Sequence, residues 1–278
     1  MQQIFRPNKN IKIIRSTSQS KKVPDHDAKV KLIEQKLNRV FGDAHKDLKF
    51  YISGSYILNT LFYMDKESND IDIYPRDDES KQKLIDFVIA KSEENIFETE
   101  IAITSTVNGE RIQVVKNVYE DPEALFANFD IDICCFAYEN DSFYLSKSAC
   151  ESIANTELNL NQTVLEEELN NESLIIKRVM TLFDRINKYA KRYNVKLAYQ
   201  SFDVLRHMSE RIPVSIFKPD TGVIYEVVDS SGQIITKHVT ECLWSKMYDL
   251  LLQNNNIHYD YFESYLKDNY GIVLNNGE

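Results

Sequence analysis

Glycine and proline are scarce in this chain: seven and six of 278 residues. So few turn-makers argue against a sandwich of many short strands and for helices and longer elements. Cysteine is scarce too. Cys134, Cys135, Cys150 and Cys242 form no C-x-x-C pair, and the five histidines are scattered, so a zinc site is not expected. Four thiols of this kind fit a reduced, cytoplasmic protein. No apolar run approaches the roughly 18–20 residues that a membrane-spanning helix needs, and no signal peptide is visible. A cytoplasmic location without a membrane partner is therefore expected.

Positive charge is also in deficit. Lys and Arg total 33 against 43 Asp and Glu, for a formal net charge of −10. General binding to phosphate backbones needs the opposite balance, so any contact with nucleic acid would have to be a local basic patch. The N-terminus offers one: Arg6, Lys9, Lys12, Arg15, Lys21 and Lys22 all precede the first acidic residue, Asp25. Residues 1–26 read as a flexible basic arm. The simpler account is a solvated arm, and the functional one is an arm that touches an anionic partner.

What is present is a globular composition, 43% hydrophobic and 11% aromatic, with enough length for one large domain or two smaller ones. Apolar residues at helical spacing predict a helix over 27–41. "LKFYIS" (48–53) reads as a strand, "SYILNTLFYM" (55–64) as a helix starting after Gly54, and "DIDIYP" (70–75) as a strand stopped by Pro75. Residues 79–92 read as an amphipathic helix. Asn108-Gly109 between two β-rich runs is a strong hairpin signal. Asp121-Pro122 suits a helix start, and "FDIDICCFAY" (129–138) reads as an apolar strand, with "ENDSFYL" as a turn and its partner.

Beyond about 155 the character changes. Thr163 and Glu166 resemble a capping box opening a long helix to about 193. A helix over 199–211, short strands over 213–238, and helices around 240–253 and 258–269 follow. The expected organisation is the arm at 1–26, a catalytic domain at 27–155, and a mainly helical domain at 156–278. The expected fold class is α+β, a mixed sheet flanked by helices, followed by a mostly helical domain with a small β element.

The chemistry centres on carboxylates. Asp70 and Asp72 are two apart on a predicted strand, so both point to one face while Ile71 and Ile73 point to the other. Carboxylates this close repel unless a cation lies between them, and oxygen-only ligands suit Mg²⁺ or Mn²⁺. Asp130 and Asp132 repeat the spacing. A single D-x-D is usually solvated surface, but a second pair inside an apolar run needs a partner for its buried charge. Gly54-Ser55, between a strand and a helix start, could hold a phosphate through backbone N–H groups and the Ser55 hydroxyl. Taken alone it is an ordinary turn and cap.

In order, the chain gives strand, Gly-Ser, helix, Asp-x-Asp strand, and a further acid on a later run. This resembles the DNA polymerase β-like nucleotidyltransferase superfamily over roughly residues 48–138. "NDIDIY", the "NGERIQVV" hairpin, "FDIDICCFAY" and "RINKYAKR" (185–192) resemble a poorly characterised stand-alone branch found in viral and other genomes. The resemblance implies a metal-dependent enzyme that moves an NMP from an NTP to a hydroxyl and releases pyrophosphate. Gly54 and Ser55 would face the triphosphate, and Asp70 and Asp72 would bind Mg²⁺ or Mn²⁺. Asp130 would be the third metal ligand and help take the acceptor proton, with Asp132 as the alternative. Arg185 and Lys188 would reach the triphosphate, and Tyr189 would stack on the base, although a solvated basic face and core packing explain these residues equally well. The acceptor could be an RNA 3′ end, towards which the basic arm and helix lean, or a protein side chain or a small molecule. A non-catalytic nucleotide-binding regulator is the alternative from another class. A phosphohydrolase is disfavoured by the lack of histidines near the acids.

Overall fold

The computed structural model describes residues 11–68, 70–161, 182, 185–186, 188–198 and 200–201, and the backbone of 224–228 and 234–238. The chain divides into two compact units, residues 1–155 and 156–278.

The first unit is built on an eight-stranded mixed sheet. In chain order its strands are β1 (Ile13–Ser16), β2 (Phe50–Ser53), β3 (Ile71–Pro75), β4 (Phe97–Glu98), β5 (Ala102–Val107), β6 (Glu110–Val115), β7 (Phe136–Glu139) and β8 (Ser142–Ser146). Their spatial order is β1-β8-β7-β2-β3-β6-β5-β4. Every pairing is antiparallel except that of β3 with β6. The helices are α1 (His26–Phe41), α2 (Ser55–Phe62), α3 (Asp78–Lys91), α4 (Pro122–Ala127) and α5 (Lys147–Asn155).

Strand alternation gives the sheet two unlike faces. Register places Ile52, Ile73, Val114 and Tyr138 on one of them, and all four are buried. α1 covers this face, with Phe41 against Phe50 and Phe87 of α3 and Tyr138 donating to Glu34 at 2.6 Å. α2 packs there too, its Phe62 ring 5.1 Å from that of Phe136. Residues 55–61 of α2 are all buried, and its polar members are bonded there: Asn59 Nδ2 donates to Ser68 Oγ at 2.9 Å and Thr60 Oγ1 to the Tyr56 carbonyl at 2.8 Å. Buried Lys29 of α1 donates to the Leu61 carbonyl at 2.9 Å, which satisfies an end carbonyl that α2 itself cannot.

The other face is more polar. Reading across the ladders from β1, one row runs Arg15, Tyr144, Ala137, Ser53, Asp72, Gln113, Thr104. Tyr74, on the same side of β3 as Asp72, is covered by Tyr119 and Phe129, with ring centroids at 5.8 and 5.6 Å.

Local chemistry explains several boundaries. Asn108 and Gly109 both have positive φ at the β5–β6 turn, as the Asn-Gly signal requires. Asp77 and Asp121 cap α3 and α4, accepting from Ser80 N and Ala124 N.

Two expectations are corrected. Arg15 lies in the paired edge strand β1, and its guanidinium donates to Ser142 Oγ at 3.2 Å. The segment from Ile13 to Ser16 is therefore part of the sheet and not of a free arm. The strand expected over 129–138 starts only at Phe136, and Asp132–Cys134 is a 3-10 helix. The run is apolar because it is covered on both sides, not because it alternates across a sheet.

In the second unit, β9 (Glu157–Leu158) and β10 (Lys196–Leu197) pair in parallel. Leu160 N donates to Ser201 Oγ at 2.9 Å. β11 (Ile224–Val228) and β12 (Ile234–His238) form an antiparallel pair. The capping box at Thr163 and the helices expected over 240–253 and 258–269 lie outside the described residues, and of the helix expected over 199–211 only Gln200 and Ser201 are described, both helical.

Candidate active site

The site lies where β2 ends on the polar face. Ser53 is register-paired with Asp72 across β2 and β3. Gly54 follows with φ 75° and ψ −153°, a region open essentially to glycine alone, and the chain turns at once into α2. A Cβ at Gly54 would fall 2.5 Å from Asp72 Oδ2. The missing side chain is thus what allows this carboxylate to lie against the strand-to-helix turn.

Asp70 and Asp72 are half-buried, while Ile71 and Ile73 are 2% and 0% exposed. Asp72 lies on the polar face by its register with Ser53, and Asp70 directly precedes β3. Ser55 is buried as the first residue of α2.

The segment with the other two acids is fastened to this same face at both ends. Phe129 packs edge-on against Tyr74 of β3. At the other end Ser53 Oγ donates to the Phe136 carbonyl at 2.6 Å. Asp130 and Asp132 sit in the stretch between these two anchors. They do not share a strand face: Asp130 is 1% exposed, and half-buried Asp132 opens the 3-10 helix. Burial pushes the Asp132 carboxyl up to about 6, and a hydrogen bond from Ser148 at the start of α5 pulls the other way. Ser148 Oγ is in turn 2.8 Å from Ser146 Oγ.

For a divalent cation the donor set is all oxygen, and the space beside Asp72 is one that a single Cβ would fill. The Asp70–Asp72 pair fits a hard cation such as Mg²⁺ or Mn²⁺. Among the described residues, however, no three His, Cys, Asp or Glu side chains form a cluster able to hold a metal ion.

Arg185, Lys188 and Tyr189 belong to the second unit. Arg185 is half-buried and helical, and Lys188 is exposed. Lys188 Nζ is 5.9 Å from the Tyr189 ring centroid. Tyr189 is 6% exposed and stacks on Tyr193 at 5.7 Å, which is the core-packing role that its sequence context also allowed. Sequence reasoning missed Ser53, whose signal was a lone polar residue ending the fully buried run Phe50–Ser53.

A family described as Gabija anti-defense 2 family protein, Gad2, matches residues 27–156. That stretch is just under half of the chain and holds every site residue of the first unit. No curated protein matches. Among solved structures, the Thermotoga maritima CCA-adding enzyme complexed with tRNA is similar at TM-score 0.51 and 8% identity, covering 74% of this chain and 48% of that one. CCA-adding enzyme complexes with CTP and ATP give 0.49 and 0.47, each at 10% identity, covering 71% of this chain and 47% and 46% of theirs. The chain spans about half the length of those enzymes. The first unit has the nucleotidyltransferase-type fold. Among the described residues, no helix is long and apolar enough to cross a membrane.

Proposed function

We propose that this chain is a metal-dependent nucleotidyltransferase that transfers an NMP from an NTP to a hydroxyl acceptor. The observation that carries the reading is the approach of Asp72 to Gly54 at the start of α2. It sets a carboxylate beside a helix N-terminus, where backbone N–H groups favour phosphate. Asp70 and Asp72 would hold Mg²⁺ or Mn²⁺, with Asp130, or else Asp132, as the third acid. The bound ion would polarise the phosphoryl oxygens and offset their charge.

Gly54 and Ser55 orient the triphosphate so that the acceptor oxygen lies in line with the α-phosphorus. That oxygen forms the new bond, the bond to the bridging oxygen of the β-phosphate breaks, and pyrophosphate leaves. The acceptor proton passes to a carboxylate oxygen of Asp130 or Asp132.

The family description supports a role against a defence system. The acceptor is then an RNA 3′ end, a protein side chain or a small molecule whose modification blocks that defence. The lack of a three-acid cluster among the described residues favours a second reading, a regulator that binds nucleotide without turning it over.

One experiment separates the two. The chain and its Asp70→Asn/Asp72→Asn variant are incubated with each α-labelled NTP, Mg²⁺ or Mn²⁺, and cellular RNA, protein and small molecules. Label transferred by the wild type alone supports the enzyme and names the acceptor class. NTP binding with no transfer to any fraction supports the regulator.

A further inference from the structure

The two edges of the main sheet are built differently. At β1 the exposed residues Lys12 and Arg15 bring positive charge, a usual guard against unwanted strand pairing. At the other edge β4 is paired only with β5, and residues 92–101, "SEENIFETEI", contain no lysine, arginine or proline. What this edge exposes is apolar: Phe97 is 64% and Ile101 68% exposed, and Ile96, just before β4, is exposed as well. The hairpin that carries them is held firmly. Thr99 N donates to the Ala102 carbonyl and Lys116 N to the Ile101 carbonyl, both at 2.9 Å, and Ala102 N donates to Thr99 Oγ1 at 3.1 Å. Large apolar side chains held outwards and rimmed by polar residues mark interaction surfaces.

The rim indicates the kind of partner. Glu93, Glu94, Glu98 and Glu100 fall within these ten residues. Glu98 pairs with Lys116 at 2.7 Å, and Glu93 Oε2 accepts from Gly109 N at 3.1 Å. Glu94 and Glu100 are exposed, and among the described residues neither is in an ion pair. Nucleic acid, held chiefly through its phosphates, is repelled by such a rim. A second copy pairing edge to edge would set the same glutamates against each other.

We propose that β4 is a docking edge for another protein, which adds to the sheet an extended segment of alternating basic and apolar residues. The segment's backbone pairs with the open side of β4, its apolar side chains cover Phe97 and Ile101, and its cations face Glu94 and Glu100. Because β4 is only two residues long, these side chains and not the ladder alone hold the segment. The proposal does not depend on nucleotidyl transfer. Phe97 is the register partner of Thr104, which continues the row through Gln113 to Asp72. The docked segment therefore extends the sheet that carries the candidate site, at the edge three strands out from Asp72.

The test is selection from a phage-displayed library of random-sequence peptides on the immobilised full-length chain. Peptides enriched on the wild type are expected to alternate Lys or Arg with apolar residues. Made synthetically and followed by fluorescence anisotropy, they are expected to bind Phe97→Ser/Ile101→Ser roughly tenfold or more weakly, the scale on which loss of an aromatic anchor is felt. Glu94→Lys/Glu100→Lys is expected to bind them more weakly too. All four residues are exposed, so thermal unfolding of both variants should match the wild type, and Phe97→Ser alone takes the place of the double variant if that one does not fold. If no peptide is enriched, if the enriched peptides lack basic residues, or if either variant binds them as tightly as the wild type, the proposal is overturned. It is also overturned if sedimentation shows the wild type self-associating and Phe97→Ser/Ile101→Ser monomeric, which assigns the edge to a second copy. Binding of single-stranded RNA that is lost in the same variant overturns it as well and assigns the edge to nucleic acid.

Discussion

Asp72 Oδ2 occupies space that a side chain at Gly54 would need, since the point a Cβ would take is 2.5 Å from it. Strand β3 and the turn after β2 are therefore fitted to each other through a missing atom. Backbone and carboxylate have to be perturbed together.

Gly54→Ala meets both a backbone conformation costly for any residue but glycine and the Asp72 carboxylate. We expect a loss of roughly 1–3 kcal/mol from the backbone alone. NTP binding should fall more steeply than stability, because Asp72 must move. Urea unfolding beside a nucleotide titration checks this, and a variant as stable as the wild type that binds NTP equally would contradict it.

Asp72→Asn should behave in the opposite way. It keeps the shape and removes one of two carboxylates that lie two residues apart. Stability without metal is expected to stay level or rise by a few tenths to about 1 kcal/mol, while metal-dependent transfer is lost. Replacing a residue that serves function often leaves stability level or raises it. Thermal unfolding in the presence of a chelator, set against a transfer assay, is the check.

Ser53→Ala tests the fastening of the segment that carries Asp130 and Asp132. Ser53 is fully buried, and its hydroxyl bonds the Phe136 carbonyl. Loss of that bond should cost about 1 kcal/mol and lower transfer disproportionately. Equal losses in stability and in transfer would instead mark Ser53 as packing alone.

Asp77 provides a pH-dependent control far from the proposed chemistry. Its Oδ1 accepts the Ser80 N–H at 2.7 Å, and this bond is the main reason its carboxyl is held below the ordinary 3.8. Because the folded value is the lower one, the stabilisation is complete above the unfolded value. It disappears as pH falls through the folded value. Asp77→Ala should therefore cost about 1 kcal/mol at neutral pH, and the difference from the wild type should vanish in acid below the folded value. Denaturant midpoints at several pH values would show it.

The parts of this fold with a local cause were legible in the sequence. Asn108-Gly109 sets its own hairpin, Asp121-Pro122 starts its own helix, and the Asp70–Ile73 alternation declares its two faces. "FDIDICC" misled because an apolar run covered on both sides has the same composition as a buried strand. Only its anchors at Tyr74 and Ser53, both distant in sequence, show that it crosses the sheet. β1 was hidden for a related reason: four residues among lysines and arginines carry too little pattern to outweigh the charge around them. The Asp70–Asp72 pair was visible as spacing. The pairing of Ser53 with Asp72 was not, because it comes from a register between strands that no local signal encodes.

The position of β1 has a consequence for the order in which the chain can assemble. Arg15 and Ser142, which meet at that edge, are 127 positions apart in sequence. On a chain made from its N-terminus, β1 emerges long before its partner strand β8, which appears only when this unit is nearly complete. The outer ladder must therefore form late, after the loop between them has been closed by other contacts. Until then the basic N-terminal segment is exposed, and β8 has an open edge. The same ladder, at an edge of the sheet, should exchange its amide protons sooner than the central pair β2–β3 in the finished protein.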